Sequence, residues 1–267
     1  MRFAKAHAYG NDFLYVERSL VADAALDALA REMCDRHQGI GADGLIVYER
    51  AGDTLSMQLF NADGSLAEVS GNGVRALGAL ALRDDARPDA TLTIETAAGP
   101  KVLRRIGRHG ELQTFHASMG SPIGVRVITL EVAGAPLTFV ALHMGNPHAV
   151  VLGRLPDPDR FRQVGGALER HPAFPAGTNV EFAEVEAPDR VRILIWERGV
   201  GATSSSGTGS CAALVAAASH GGAAREADVV APGGAQRVEW RDDGVYLTGW
   251  AEVLCEGDWL RQIPRTR

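Results

Sequence analysis

Apolar residues fall at every second position, or in short β-branched blocks, through many runs of this chain. They take helical spacing, or form an unbroken block of helical length, in only four stretches. Period-two alternation buries one face of a strand, and spacings of three and four bury one stripe of a helix. The pattern predicts first-half strands at Phe13–Val16, Gly44–Tyr48, Ser56–Phe60, Thr91–Glu95, Lys101–Arg105 and Leu112–Ala117. In the second half it predicts them at Arg126–Val132, Leu137–His143, Ala149–Leu152, Val180–Val185, Arg190–Trp196, Ala227–Val230, Gln236–Trp240 and Val245–Thr248. The predicted helices are Leu26–His37, Val74–Arg83, Phe161–Glu169 and Ser210–His220. Strands predominate, so each half is expected to wrap a sheet around its most apolar helix. The segment Ala251–Ile263 carries a predicted turn at Glu256-Gly257-Asp258, and either closes a hairpin or crosses back to the first half.

The two halves share more than composition. Gly10-Asn11 and Gly145-Asn146 each precede a β-rich run, at an offset of 135 residues. Gly41 faces Gly177, Asn61 faces Glu197 and Ser70 faces Ser206, all at an offset of 136. Four turn motifs at nearly one spacing indicate two copies of one α/β unit, the second beginning near residue 122. The period is far longer than the 20–50 residues of a solenoid repeat, so it means two similar domains. The expected division is 1–121 and 122–256, with 257–267 completing the first domain.

Bulk composition adds limits. Of 267 residues, 46% are hydrophobic and 22% charged, enough for a packed core. The net charge of −6 argues against a surface for nucleic acid or other polyanions. No apolar run approaches the roughly 20 residues that span a bilayer, and the N-terminus lacks a signal-peptide core. A soluble, cytoplasmic protein is the expectation. The three cysteines (Cys34, Cys211 and Cys255) have no short spacing, and no His-Glu-x-x-His pair occurs, so neither a disulfide framework nor a metal site is expected. With only Lys5 and Lys101 as lysines, a pyridoxal Schiff base has few candidates.

The candidate chemistry sits at two serines. Ser70 opens SGNGVRALG and Ser206 opens SGTGSCAAL; each precedes a Gly-x-Gly turn and then an apolar run. A serine before a helix is ordinarily an N-cap. Two at matched positions suggest something further, because a helix N-terminus offers unpaired amides and partial positive charge to an anion. Two such ends facing one amino-acid carboxylate would place its Cα between two side chains, as two-base proton transfer needs. Asn11, Asn61, Asn72, Asn146 and Asn179 all lie in turn-like contexts near these motifs. Turn chemistry explains any one of them; five suggest a hydrogen-bonding cleft. Glu197-Arg198 ends an apolar strand, and reads equally well as a strand-end ion pair or as partners for an amino group and a carboxylate. His7, His37 and His148 are read as orienting loops rather than as bases.

Taken together, AYGNDF, RHQGIGADG, FNADGS, SGNGVR, MGNPH, TNVEF, WERGVG and SGTGSCAA resemble diaminopimelate epimerase over nearly the whole chain. The resemblance implies an α+β fold of two homologous domains in pseudo-twofold relation, each a barrel-like, mostly antiparallel sheet around a central helix. It implies a cofactor-independent isomerase that interconverts LL- and meso-diaminopimelate on the route to lysine and peptidoglycan, and a homodimer. Asn11, Asn61, Asn146, Asn179, Glu197 and Arg198 would contact substrate, and Gly71-Asn72 with Gly207-Thr208 would hold the α-carboxylate.

The departure is at the centre. The family carries a catalytic cysteine before each glycine turn, where this chain has Ser70 and Ser206. A thiol titrates near pH 8.5, roughly, and a helix N-terminus lowers it further, whereas a serine hydroxyl is a much weaker acid. Three readings follow: a slow or altered serine epimerase, a chain whose two cysteines were replaced to trap a ligand, or an amino-acid-binding homologue without the chemistry. A hydroxyproline-type epimerase or dehydratase is the remaining alternative.

Overall fold

The structure, a computed structural model, describes residues 1–52 and 54–265. The last two residues of the predicted C-terminal segment lie outside the described ones. The chain elements are β1 (Arg2–Ala8), β2 (Asn11–Glu17), α1 (Leu26–Cys34), β3 (Gly44–Ala51), β4 (Thr54–Asn61), β5 (Leu66–Ala67), α2 (Gly71–Ala81), β6 (Thr91–Thr96), β7 (Gly99–His109) and β8 (Leu112–Gly120). They continue as β9 (Ile123–Val132), β10 (Ala135–His143), β11 (Pro147–Leu152), α3 (Pro158–Glu169), β12 (Asn179–Ala187), β13 (Arg190–Glu197), β14 (Gly201–Thr203), α4 (Gly207–Ala216), β15 (Glu226–Ala231), β16 (Gly234–Arg241) and β17 (Gly244–Asp258). Two compact units result: one runs from Met1 to Ala117 and resumes at Gly249, and the other is Ser118–Thr248.

In the first unit the strands pair in the order β17, β1, β2, β3, β4, β6, β7, β8, and β17 also pairs β8, which closes the row. The β2–β3 and β4–β6 pairings are parallel and the neighbouring ones antiparallel. Helix α2 packs against β1, β2 and β7, with every residue from Gly71 to Ala79 buried. Gly78 is what allows this seat: a Cβ there would lie 2.5 Å from Leu103 Cδ1. Helix α1 packs against β3 and β4, with Leu29, Ala30 and Met33 turned into the core.

The second unit repeats the plan. Its strands run β9, β10, β11, β12, β13, β15, β16, β17, with parallel steps at β11–β12 and β13–β15. All ten residues of α4 are buried, and the helix packs against β10 to β13, β15 and β16. An α-helix apolar on every side has to be enclosed, and this one is. Helix α3 packs against β12 and β13, where Phe161 meets Phe182 and Trp196 edge-on at 5.6 and 5.8 Å. Each unit is thus a barrel-like sheet around one buried helix, the architecture that the resemblance implied.

Several boundaries differ from the sequence expectation. Helix α1 ends at Cys34 rather than His37, because Asp35 leaves helical geometry and its carboxylate accepts the His37 and Gln38 amides at 2.8 and 2.6 Å. Helices α2 and α4 each begin three residues earlier than expected, at the glycines after Ser70 and Ser206. Strand β1 was not foreseen; its sequence, RFAKAHA, alternates through alanines too small to stand out. Glu256-Gly257-Asp258 is not a turn. It is the end of β17, paired with β1 as Phe3↔Gly257 and Arg2↔Asp258. Gly257 serves close packing, since a Cβ there would lie 2.9 Å from the Phe3 ring.

Candidate functional site

In the first unit, β2 and β3 start, and β4 ends, at the same edge of the sheet: Phe13 pairs Gly44, and Gly44 pairs Asn61. The N-terminus of α2 arrives at this edge. Ser70 is its N-cap, with extended backbone, and its Oγ accepts from Gly73 N at 3.1 Å. The cap leaves Gly71 and Asn72 as the first two residues of the helix. A Cβ on Gly73 would lie 2.7 Å from Ile46 Cδ1. Tyr15, fully buried, donates its hydroxyl to Gly73 O at 2.9 Å and pins the first turn; burial raises its pKa well above that of a free tyrosine.

Asn11 and Asn72 meet here. The Asn72 amide nitrogen donates to Asn11 Oδ1 at 3.2 Å, and Asn11 Nδ2 donates to Asp43 Oδ2 at 2.7 Å. Behind Asn72 lies Arg75, fully buried, whose guanidinium donates to Asn72 Oδ1. Beyond Asp43 the network continues: Arg36 donates to Asp43 Oδ1 at 2.8 Å and to Asp12 Oδ1 at 2.7 Å, and Lys5 Nζ lies 2.9 Å from Asp12 Oδ2. Burial alone would raise the Asp12 pKa, but the hydrogen bonds from Arg36 and Lys5 outweigh it and hold that carboxyl below its ordinary value. Asn61 lies on the same strand edge, but its side chain donates to Ser65 Oγ at 3.0 Å, which is ordinary turn chemistry. Asn11 is delivered by a tight β1–β2 turn in which both Tyr9 (φ 54°) and Gly10 (φ 84°) are left-handed. Such a turn matches the strand twist, yet a tyrosine at positive φ is uncommon and strained.

The second unit builds the same edge from β11, β12 and β13, with His148 paired to Asn179 and Val180 to Trp196. Ser206 caps α4, its Oγ accepting from Gly209 N at 3.2 Å, and Gly207 and Thr208 follow. Asn146 reaches Thr208, with Nδ2 donating to Oγ1 at 3.4 Å. Its Oδ1 lies 2.8 Å from His148 Nε2, and His148 Nδ1 lies 2.8 Å from Glu181 Oε1. His148 therefore orients the Asn146 amide. Asn179 binds across the edge, donating to Pro147 O at 2.9 Å and accepting from the Arg198 backbone N at 3.0 Å. The Arg198 guanidinium donates to Ala176 O at 3.2 Å. Glu197 sits at the end of β13, and the turn after it is held by Glu169, whose carboxylate accepts from Gly199 N and Trp196 Nε1, each at 2.8 Å.

Within each unit the structure thus gathers the predicted residues at one edge. Arg75, Asp43, Arg36, Glu181 and Glu169 were missed. Four of them are charged residues inside the recognised motifs, and their place there was the available signal; Glu169 ends the predicted helix Phe161–Glu169, away from any motif. None of the cysteines replaces the serines. Cys211 is buried inside α4 and Cys255 is exposed on β17. Cys34 is buried, and burial, helped by Asp12 and Asp43, pushes its thiol up to about 12. Among the described residues no cluster of three or more His, Cys, Asp or Glu could hold a metal ion. Among the described residues no helix is long and apolar enough to cross a membrane.

Two sheets that each enclose a serine-capped helix are the fold of solved amino-acid racemase and epimerase structures. The solved structures with this fold include a probable proline racemase from Agrobacterium radiobacter, with a TM-score of 0.77 at 17% identity over 98% of this chain and 93% of that one. They also include a hydroxyproline epimerase from Agrobacterium vitis, with a TM-score of 0.72 at 17% identity over 96% and 91%. The family profile for diaminopimelate epimerase matches residues 3–123 and 140–254. The diaminopimelate epimerase of Desulforudis audaxviator is 42% identical over 98% of this chain and all of its own length. That of Desulfovibrio desulfuricans is 35% identical over 97% of this chain and 98% of its own length. The chain belongs to the diaminopimelate epimerase family.

Proposed function

We propose that this chain binds LL-diaminopimelate and slowly converts it to the meso isomer, with Ser70 and Ser206 at the two base positions. The carrying observation is the duplicated helix end. In each unit a serine caps a buried helix, a glycine and a polar residue (Asn72 or Thr208) follow, and that residue bonds an asparagine at a strand start. The α-carboxylate would lie on the helix amides contributed by Gly71-Asn72 and Gly207-Thr208. Asn11, Asn61, Asn146, Asn179, Glu197 and Arg198 would take the remaining polar groups. The family membership and the identity of its relatives support this substrate.

The chemistry requires Ser70 and Ser206 to approach one Cα from opposite sides. One oxygen removes the Cα proton, the electron pair moves into the carboxylate held by helix amides, and the other hydroxyl returns a proton to the opposite face. The first oxygen has to begin as an alkoxide. Each unit of mismatch in pKa costs about 1.4 kcal/mol, roughly tenfold in rate. A thiol titrates near neutrality under a helix dipole and a hydroxyl does not, so turnover is slow. No cofactor or metal enters the scheme. A cytoplasmic homodimer, acting on a small molecule and on neither nucleic acid nor membrane, completes the proposal.

Both Ser Oγ atoms are already hydrogen-bond acceptors for helix amides, and that favours one second reading: an amino-acid-binding homologue in which the serines only cap. Incubation with LL-diaminopimelate in deuterated water decides. Deuterium at Cα together with meso product supports the epimerase. Ligand-induced thermal stabilisation without exchange supports the binding homologue. Ser70→Cys combined with Ser206→Cys is expected to raise turnover by about 100-fold or more, since about two units of nucleophile pKa suffice for that. No binding and no gain would remove both readings and leave a hydroxyproline-type substrate to be tried.

A further inference from the structure

We propose that Arg75 and Asp43 are positioning residues that fix the direction of the Asn11 and Asn72 amides, so that Asn11 offers N–H, and not C=O, to an acidic group of the ligand. The inference rests on the reading of this edge as part of a diaminopimelate site.

The argument is one of donors and acceptors. A guanidinium only donates, and a carboxylate only accepts. Arg75 faces Asn72, so Asn72 turns its Oδ1 to Arg75 and its Nδ2 away, to Asn11. Asn11 then accepts on Oδ1, which leaves Nδ2 for Asp43. Flipping either amide would set N–H against N–H at the Arg75 end, or oxygen against oxygen at the Asp43 end. The row is buried, with Arg75 and Asn72 fully enclosed and Asn11 6% exposed, so a mispaired group finds no water to replace its partner.

Both terminal charges are themselves held in place. Arg36 donates to Asp43 Oδ1, and the Asp12 backbone N donates to Asp43 Oδ2 at 3.2 Å. The Arg75 guanidinium carbon lies 5.9 Å from the centre of the Tyr9 ring, and a Cβ on Gly249 would lie 3.3 Å from Arg75 Nε. The strained Tyr9 backbone therefore places a ring beside the cation that polarises the row. Asn11 Oδ1 is committed to Asn72, and the second hydrogen on Asn11 Nδ2 remains for a ligand. An acceptor suits that hydrogen, and a carboxamide N–H does not. The predicted consequence is a preference for a carboxylate over its amide, set by two residues that need not touch substrate.

Titration calorimetry on the intact chain tests this with LL-diaminopimelate and its diamide. Either terminal charge alone still directs the row, so the test removes both. In Asp43→Asn combined with Arg75→Gln each end supplies donor and acceptor; diacid affinity should fall by about tenfold, equivalent to about 1.4 kcal/mol, and diamide affinity should change by less than about threefold. Asp43→Asn alone, at a partly exposed side chain, and Arg75→Lys, still donor-only, should each retain the preference. Unchanged diacid binding in the double variant, parallel loss of both ligands in it, or loss of the preference in Asp43→Asn alone overturns the proposal. If the parent chain binds neither compound, the diaminopimelate reading fails, and the row is then judged without ligand. Side-chain amide protons of Asn11 and Asn72 should exchange slowly in the parent and quickly in the double variant; equal exchange in both overturns it.

Discussion

The asparagine that opens β2 and the one just before β11 occupy the same place in the repeat, yet they are held by different chemistry. Asn11 is fixed through Asn72 by Arg75, and through its own amide by Asp43, in a row that continues to Arg36, Asp12 and Lys5. Asn146 is fixed by His148, which is fixed by Glu181, and its other end rests on the Thr208 hydroxyl. One clamp spreads charge over several partners. The other relies on a single His–Glu pair whose side chains are fully enclosed. What the two halves retain is backbone: strand starts in register, a capped helix end, and glycines where the helix meets the sheet. Side chains that only need to hold an amide still were free to diverge, because many donor and acceptor sets can do that.

The largest expected effect follows from that reliance. Glu181→Ala leaves His148 Nδ1 without its acceptor at a site where neither side chain is exposed. Leaving a fully buried donor unsatisfied costs about 1–3 kcal/mol, and the truncated side chain adds a cavity. Lys5→Ala in the other half leaves Asp12 its two bonds from Arg36, and should cost about 1 kcal/mol or less. Denaturant unfolding of the two variants measures the contrast. Equal losses would mean that the first-half network is as brittle as the second.

A smaller effect tests the glycines. Gly73 and Gly209 are the same helix position in the two units. A Cβ on Gly73 meets the tip of Ile46, a flexible side chain, at 2.7 Å. A Cβ on Gly209 meets Glu181 Oε1 at 2.7 Å and Ser206 Oγ at 3.1 Å, and the first is locked by His148 while the second is the cap. Alanine is the better helix former by about 1 kcal/mol, which offsets part of either clash. Gly209→Ala is therefore expected to lose about 2 kcal/mol and Gly73→Ala to lie near zero, both read by thermal unfolding. A reversed order would show that Glu181 can move and that the second clamp is not rigid.

The same division between backbone and side chain explains what the sequence made legible. The repeat offset, the capped serines and the asparagines were readable because turns and caps need particular small residues at particular places, such as Gly10, Gly145, Ser70 and Ser206. Strand β1 was hidden because its inward positions are alanines, and Gly257 read as a turn although it is a flat strand position under Phe3. Arg75 could not be read as buried. It follows Val74 in an apolar helix, where an arginine ordinarily marks the solvent face, and only the neighbouring Tyr9 and Asn72 show why it is enclosed. Glu181 was hidden in the same way: alternation within Asn179–Ala187 does not show that its partner is a histidine on the adjacent strand.

The smallest expected effect concerns acid. Asp12 has a folded pKa below its ordinary value, because Arg36 and Lys5 more than offset burial. A carboxyl lowered by folding contributes stability that is present above its unfolded pKa and lost as pH falls through the folded one. The first unit should therefore weaken from about pH 4 downward, in the range where an unfolded aspartate binds its proton and the folded one resists it. Asp85 is also lowered, to about 2, first by its side-chain bond to Arg87 and then by the Arg87 backbone N, but Arg87 is largely exposed, so solvent and salt screen that pair. Glu186 in the second unit is lowered by Arg192 and is likewise exposed. Asp12→Asn should thus flatten the acid limb of the melting temperature more than Asp85→Asn or Glu186→Gln, and the difference should survive 0.5 M salt, where the Debye length is only about 4 Å. If all three variants flatten the limb equally, and salt abolishes the effect in each, the Asp12 network is no more protected from solvent than an ordinary surface pair. The contrast drawn between the two clamps would then rest on His148 and Glu181 alone.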